Sequence, residues 1–208
     1  MGRYRAVCCD LLTALLDSWS LWESVAGDAA SGTRWRLASI ELVTRARSYR
    51  PYDAVVMEAA GATGLDPKKA DQLLQRWRFL TPFADVRPAL AQVDLPIVVV
   101  TNTSQRLADL AASRLEVPLL AVVSAETAGW YKPAVQAYQA GWRAAGAASA
   151  GECLFVAGSP HDASGATAAG HDVFWVNRRS APLPAGGPEP RWMAPNLDGL
   201  SEVLEPAG

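Results

Sequence analysis

Ala6-Val-Cys-Cys-Asp10-Leu-Leu-Thr-Ala-Leu-Leu-Asp17 is the stretch that decides the fold. An apolar run ends on a carboxylate, and a second apolar run follows before the next aspartate. A carboxylate among apolar neighbours is costly unless it is hydrogen-bonded, paired or exposed in a cleft. The carboxyl end of a parallel strand opens onto such a cleft in α/β sheets, and ligands bind there. Taken alone, Asp10 reads equally well as an N-cap of the next helix, so the segments downstream must arbitrate.

Those segments alternate. Leu95-Pro-Ile-Val-Val-Val-Thr101, Leu119-Leu-Ala-Val-Val-Ser124, Cys153-Leu-Phe-Val-Ala157 and Asp172-Val-Phe-Trp-Val-Asn177 are short apolar runs. They are rich in branched and aromatic residues, as strands covered on both faces should be. Between them the pattern predicts helices over Gln105–Leu115 with Ser104 as cap, over Pro133–Ala145 with proline in its first turn, and from about Asp162 to Ala169. Strands alternating with helices imply a doubly wound parallel sheet, a Rossmann-like α/β core.

Residues 18–83 break the alternation. They carry Trp19, Trp22, Trp35 and Trp77, half of the eight tryptophans, and no convincing strand. Helices are predicted over Trp19–Val25, Thr33–Arg47, Ala54–Ala60 and Pro67–Phe79, with breaks at Gly27, Gly32, Pro51 and the Gly61–Gly64 stretch. The expected organisation is a core domain (1–16 and 84–208) with a helical cap domain (17–83) inserted after the first strand. The stretch from Ala181 to Pro195 is rich in proline and glycine and is expected to be an irregular surface connection.

Bulk composition narrows the function. A chain of 208 residues suits one domain or a core with a smaller insert. Half the residues are hydrophobic and 19% are charged, enough for a substantial core. A formal net charge of −2 offers no footprint for nucleic acid. Cys8, Cys9 and Cys153 do not make a disulfide framework and read as small core residues of a reducing compartment. Arg3 and Arg5 precede an apolar stretch, but Asp10 interrupts it and no small-residue cleavage site follows, against a signal peptide. No run reaches the roughly 18 apolar residues of a membrane span. The expectation is a soluble cytoplasmic protein with a small-molecule partner and no nucleic-acid or membrane partner.

Polar residues gather where strands are predicted to end: Asp10, Thr101-Asn102, Tyr131-Lys132, and Ser159 with Asp162. In a parallel sheet the carboxyl ends share one edge, so these groups converge from distant parts of the chain. An aspartate can attack an electrophilic carbon and form an ester that water then hydrolyses. A neighbouring lysine would keep it ionised. Thr101, Asn102 and the N–H groups opening the next helix could hold an anionic substrate group.

In this set the chain resembles the haloacid dehalogenase superfamily, specifically its L-2-haloacid dehalogenase branch, over nearly its whole length. The branch's first motif, an aspartate followed by an apolar residue, Tyr-Gly-Thr-Leu and a second aspartate, stands here as Asp10-Leu-Leu-Thr-Ala-Leu-Leu-Asp17. Its second is the apolar strand ending in Thr101-Asn102, and its third is Tyr131-Lys132-Pro133 with Tyr138 six residues after the lysine. The fourth is Phe155-Val-Ala-Gly-Ser-Pro-His-Asp162, continuing to Trp175-Val-Asn-Arg178, and the Trp-Arg pair of the cap corresponds to Trp35-Arg36. The resemblance implies a Rossmann-like core with a helical cap, no cofactor, and a small carboxylate as substrate. It implies catalytic roles for Asp10, Lys132, Asp162 and Arg36, with Arg36 reaching down from the cap to hold the leaving group. It places Thr101, Asn102, Leu12, Tyr138 and Ser159 against the substrate, and it allows a homodimer.

The departures are equally informative. The family's phosphatases carry a second aspartate two positions after the first and bind Mg²⁺ with it. Here that position is Leu12, and Ala157-Gly158 replaces the Gly-Asp of their fourth motif. Asp10 and Asp162 alone are a poor oxygen set for that ion, so phosphoryl transfer and a metal are not expected. Against the dehalogenase pattern, tyrosine has become Leu12, threonine Ala14, serine Ala157, asparagine Ser159 and tryptophan His161. Ala14 removes a hydroxyl expected to bond the nucleophile, and each such contact is worth ~10²-fold or more in rate. The displacement half of the site looks intact and the ester-hydrolysing half remodelled. The expected function is metal-independent displacement of a halide or a strained ring nitrogen from carbon of a small carboxylate. The alternative is a repurposed, non-hydrolytic relative that binds a small anion, a biosynthetic intermediate or a protein partner. His161 enters as a titratable newcomer without an assigned role.

Overall fold

The computed structural model describes residues 3–205. Strand β1 (Ala6–Cys9) leads into a tight turn and then into helices α1 (Ser18–Ala26), α2 (Ala29–Ala46), α3 (Tyr52–Ala62) and α4 (Lys68–Arg76), closed by a 3-10 turn at Trp77–Phe79. The chain returns through α5 (Val86–Leu90) to β2 (Ile97–Thr101), α6 (Gln105–Ala112), β3 (Ala121–Ser124), α7 (Ala125–Ala128) and α8 (Val135–Ala144). A second 3-10 turn at Ala150–Glu152 precedes β4 (Cys153–Ala157), and α9 (Pro160–Ala168), β5 (Asp172–Val176), β6 (Trp192–Ala194) and α10 (Leu200–Leu204) complete the fold.

All six strands form one parallel sheet in the order β3-β2-β1-β4-β5-β6. Strand β1 is central, with β2 on one side and β4 on the other, and every residue of these three strands is buried. The strand order reverses direction at β1, which opens a crevice at its carboxyl end. Asp10 is the first residue past that end. Leu16 pairs with Pro82 where the chain leaves the core for the helical segment and returns, and the Asp17 amide donates to the Thr81 carbonyl at 2.9 Å. No helix is long and apolar enough to cross a membrane among the described residues.

Several local expectations are corrected. Gly32 does not break a helix but lies inside α2. A Cβ there would sit 2.4 Å from the Glu23 Cα, so glycine is what lets α2 close against α1. Helix α8 begins at Val135 rather than at Pro133, and α9 begins at Pro160, ahead of Asp162. The stretch 181–195 is not wholly irregular, because Trp192–Ala194 adds a sixth strand beside β5. Three residues with prolines close on both sides, Pro190 and Pro195, are too few to show a strand's alternation in sequence. Tyr131-Lys132 is not at a strand end either: β3 stops at Ser124, and α7 intervenes.

The tryptophans bind the cap together more than they line a cavity. Trp22 and Trp35 pack edge to face at 4.7 Å, and Trp35 Nε1 donates to the Val56 carbonyl at 3.0 Å. Trp77 Nε1 donates to the Leu107 carbonyl at 3.2 Å, joining the helical segment to α6. Trp35 and Trp77 thus bury large apolar area with the indole N–H satisfied, whereas the Trp22 Nε1 is buried without a partner among the described residues.

Candidate active site

Asp10, Lys132 and Asp162 meet above the carboxyl ends of β1 and β4, each less than a tenth exposed. Lys132 Nζ donates to Asp10 Oδ1 at 2.9 Å and to Asp162 Oδ2 at 2.8 Å. Burial alone would raise the Asp10 pKa, but the Lys132 charge and hydrogen bonds from Lys132 and Thr13 outweigh it and hold the carboxyl below its usual range. Burial likewise opposes the Lys132 charge, and the two aspartates reverse that, lifting its pKa. Asp162 goes the other way: burial, only partly offset by Lys132, pushes it up to about 6. Two carboxylates around one ammonium thus differ in proton affinity, Asp10 being the firmly ionised member.

The loop carrying Lys132 is held from two directions. The Asn102 side chain accepts from the Lys132 amide at 2.7 Å and donates to its carbonyl at 2.9 Å. Tyr131 is tied to the connection after α2: its amide donates to the Arg47 carbonyl at 2.6 Å and its hydroxyl to the Arg50 carbonyl at 2.7 Å. Expected as an anion contact, Asn102 is thereby occupied in fixing the Lys132 backbone. Ser159 is likewise engaged, its hydroxyl accepting from the Asp162 amide at 3.2 Å as the N-cap of α9. Tyr138 donates to Asp162 Oδ1 at 2.8 Å and so faces the aspartate rather than open space. Thr101 ends β2 with its hydroxyl buried and unpartnered among the described residues.

Above this floor lies a cavity of about 70 Å³, bordered by Asp10, Leu12, Arg36, Thr101, Lys132 and Ser159 among others. Leu12, Ile40 and Val43 give it an apolar wall, and His161 stands exposed at the rim. Arg36 descends from α2 and is only 4% exposed. Its guanidinium lies 5.2 Å from the Trp19 ring and 5.3 Å from the Trp22 ring. It forms no salt bridge among the described residues, and its Nε is buried without a partner. Burial lowers the Arg36 pKa, a shift that the Tyr52 phenol and Asp10 oppose. A buried cation without an anion is costly, and this one faces a cavity. Trp19, Trp22 and Trp35 are not in the cavity wall; the first two flank Arg36 instead.

Two participants escaped the sequence reading. Thr13 donates to Asp10 Oδ2 through its hydroxyl at 2.7 Å and its amide at 3.0 Å, so the hydroxyl missing from Ala14 is supplied one residue earlier. A threonine three residues after the aspartate was visible in the sequence, but only the turn geometry shows that it points back. Arg178 holds Asp85 through two nitrogens at 3.0 and 2.9 Å and also donates to the Ala14 carbonyl at 3.1 and 2.9 Å. It thereby fixes the far side of the turn that follows Asp10. Its place at the close of the fourth motif was a faint pointer to that role.

A parallel α/β core, a helical cap entered after the first strand and an aspartate–lysine–aspartate cluster between them define a capped α/β protein with its site at the strands' carboxyl edge. Haloacetate dehalogenase H-2 of Moraxella sp. (strain B) is 31% identical over 144 residues, 67% of this chain and 64% of that protein. The chain thus spans less than two thirds of that curated relative. The crystal structure of the L-2-haloacid dehalogenase RSc1362 superposes with a TM-score of 0.86 at 26% identity, covering 97% of this chain and 98% of that one. The L-2-haloacid dehalogenase of Xanthobacter autotrophicus with chloropropionic acid covalently bound gives a TM-score of 0.85 at 21% identity, covering 97% and 98%, a likeness of fold. No family model matches the chain. In sequence and in fold the chain is thus similar to the L-2-haloacid dehalogenases of the haloacid dehalogenase superfamily.

Proposed function

We propose that this protein is a hydrolase in which Asp10 displaces a leaving group, halide foremost, from a carbon of a short carboxylic acid. The observation that carries this reading is the pairing of a firmly ionised, buried carboxylate with an unpaired guanidinium across one small cavity. Asp10 attacks carbon and forms an ester as the leaving group departs toward Arg36, where a buried cation stabilises the anion as it develops. Water then attacks the ester carbonyl, and its proton passes to the Lys132–Asp162 pair. The products are the hydroxy acid, the halide and a proton, with Asp10 regenerated. The cavity is small, about 70 Å³, which favours short acids over long chains. The name of the Moraxella relative, a haloacetate dehalogenase, points the same way. A strained ring nitrogen leaves by the same attack and stays within the proposal.

A single turnover in H₂¹⁸O with chloroacetate or 2-chloropropionate tests the reading. Expected are halide release and one ¹⁸O in the peptide containing Asp10, with neither in Asp10→Asn. Label in the product alone would mean direct attack by water and would end the covalent mechanism. A second reading, binding of a small anion without turnover, is favoured by Ala157, which has no hydroxyl to offer the hydrolytic step where the resembling motif has serine. Stoichiometric binding of haloacids with no ester and no halide would establish it instead.

A further inference from the structure

The two oxygens of Asp10 are held very differently. Oδ1 accepts from Lys132 alone, at 2.9 Å. Oδ2 accepts from the Thr13 hydroxyl at 2.7 Å, the Thr13 amide at 3.0 Å and the Ala14 amide at 3.2 Å. The more heavily donated oxygen is the poorer nucleophile, because its electron density is committed to those donors. Oδ1 is therefore the atom free to attack. Once it has done so, Oδ2 is the carbonyl oxygen of the ester, and three donors already converge on it.

Space around this turn is as specific as its hydrogen bonds. A Cβ on Gly158 would lie 2.1 Å from the Ala14 amide nitrogen, 2.3 Å from the Thr13 carbonyl carbon and 2.5 Å from the Thr13 hydroxyl. No side chain fits there while Thr13 keeps its place. Glycine at the end of β4 and threonine in the turn after β1 are thus steric counterparts from two strands that lie side by side. Ala14, where the resembling motif has threonine, has no hydroxyl to offer.

We propose that Thr13, accommodated by Gly158, donates the side-chain hydrogen bond of an oxyanion hole on Asp10 Oδ2 and so serves the ester-hydrolysis step. This rests on the covalent reading given above. Water adds to the Asp10 Cγ and the carbonyl electron pair moves onto Oδ2, where the Thr13 hydroxyl and the two amides stabilise it. Collapse breaks the Cγ–Oδ1 bond, so Oδ1 leaves with the substrate carbon as the product hydroxyl and the water oxygen stays in Asp10. The water's two protons end on the product hydroxyl and in solvent. The same donors lower the basicity of the resting carboxylate, so Thr13 slows hydrolysis when lost far more than it slows attack.

The test compares Thr13→Val, which keeps the shape and loses the hydroxyl, with Thr13→Ser, which keeps the hydroxyl. Rapid-quench mass spectrometry with chloroacetate follows ester formation and decay separately, and ¹³C-carboxyl NMR follows the Asp10 titration without substrate. Expected for Thr13→Val is a 10²- to 10³-fold slower decay, accumulation of the ester on the intact protein and an upward shift of the Asp10 titration. Thr13→Ser should decay within a few-fold of wild type. Equal slowing of formation and decay, or decay within three-fold of wild type in Thr13→Val, would overturn the role of Thr13. If wild type forms no ester with any haloacid or strained-ring carboxylic acid, the covalent reading itself fails and the oxyanion hole with it, an outcome distinct from a normal Thr13→Val. Gly158→Ala should copy Thr13→Val; should it not fold, the valine and serine variants still decide.

Discussion

Tyr138 donates its phenolic proton to Oδ1 of Asp162 at 2.8 Å, and this bond favours the ionised form of an aspartate that burial pushes up to about 6. In the proposed mechanism an ionised Asp162 keeps the Lys132 ammonium oriented and takes part in proton removal from water. The rate should therefore fall on the acid side with an apparent midpoint near 6, a property of the coupled group rather than of one residue. Removing the phenol in Tyr138→Phe takes away a bond that stabilises the anion, so the midpoint moves up, by roughly half to one pH unit. At pH 8.5 the variant should recover most of the wild-type rate. A pH profile of kcat/KM decides the matter, and an unshifted acid limb would detach Tyr138 from the ionisation of Asp162.

Lys132 sits between two buried carboxylates, so its replacement is a charge problem as well as a catalytic one. Lys132→Met leaves Asp10 and Asp162 facing one another without a counter-ion, and breaking a buried pair in this way costs about 3–5 kcal/mol. Without the ammonium, burial raises both carboxyl pKa values above those of the unfolded chain. The penalty is then present at high pH and fades as pH falls and the acids protonate in the folded state. Wild type behaves oppositely at Asp10, whose lowered pKa gives stability that is lost on acidification. The Tm gap between variant and wild type should be wide at pH 8 and narrow toward pH 4.5. A gap independent of pH would contradict the charge assignment.

Much of this arrangement was legible before any coordinates. Asp10 ending an apolar run, the alternation that follows and the insert rich in tryptophan define core, cap and crevice, because burial imposes its pattern directly on sequence. Strand β6 was hidden because three residues cannot display a period, and Gly32 read as a break because its reason lies on another helix, at Glu23. Side-chain assignments at the site were legible as residue types but not as partners. Asn102 hydrogen-bonds the Lys132 backbone and Ser159 caps α9, and Thr13 supplies the hydroxyl that Ala14 lacks. Such exchanges depend on where a turn points a bond, which residue order alone does not encode.

Arg36 presents the opposite balance between stability and function. The guanidinium is buried between Trp19 and Trp22, and burial lowers its pKa. Desolvation of a cation without an anionic partner is unfavourable, so the folded protein bears it for the sake of the cavity. Arg36→Met keeps an unbranched apolar stem of similar length in the same slot. Its thermal stability should match or exceed wild type by up to about 2 kcal/mol. Chloroacetate turnover should nevertheless drop ~10²-fold or more. Added chloride should inhibit wild type more than the variant. A variant that is both destabilised and active would place the guanidinium in the packing rather than in the site.

Arg178 offers a test at a distance from the reacting atoms. It grips Asp85 through two nitrogens, donates to the Ala14 carbonyl and lies 3.9 Å from the Phe83 ring centroid. Those contacts join the end of β5 to the turn that follows Asp10 and to the point where the chain returns from the cap. Burial would raise the Asp85 pKa, but hydrogen bonds from Arg178 and the Leu197 amide bring it below its usual range. That pair therefore adds stability at neutral pH that is lost as the solution is acidified through the carboxylate range. Lysine keeps the charge but not the fork that reaches Asp85 and Ala14 together. Arg178→Lys should lower stability by about 1–3 kcal/mol at pH 7, with a smaller difference from wild type near pH 3.5. Loosening the Ala14 carbonyl should also disturb the amides on Asp10 Oδ2, so kcat should fall several-fold with little change in KM. Chemical denaturation at the two pH values, together with steady-state kinetics, separates these effects. Full activity in a destabilised Arg178→Lys would confine Arg178 to holding the cap's return point.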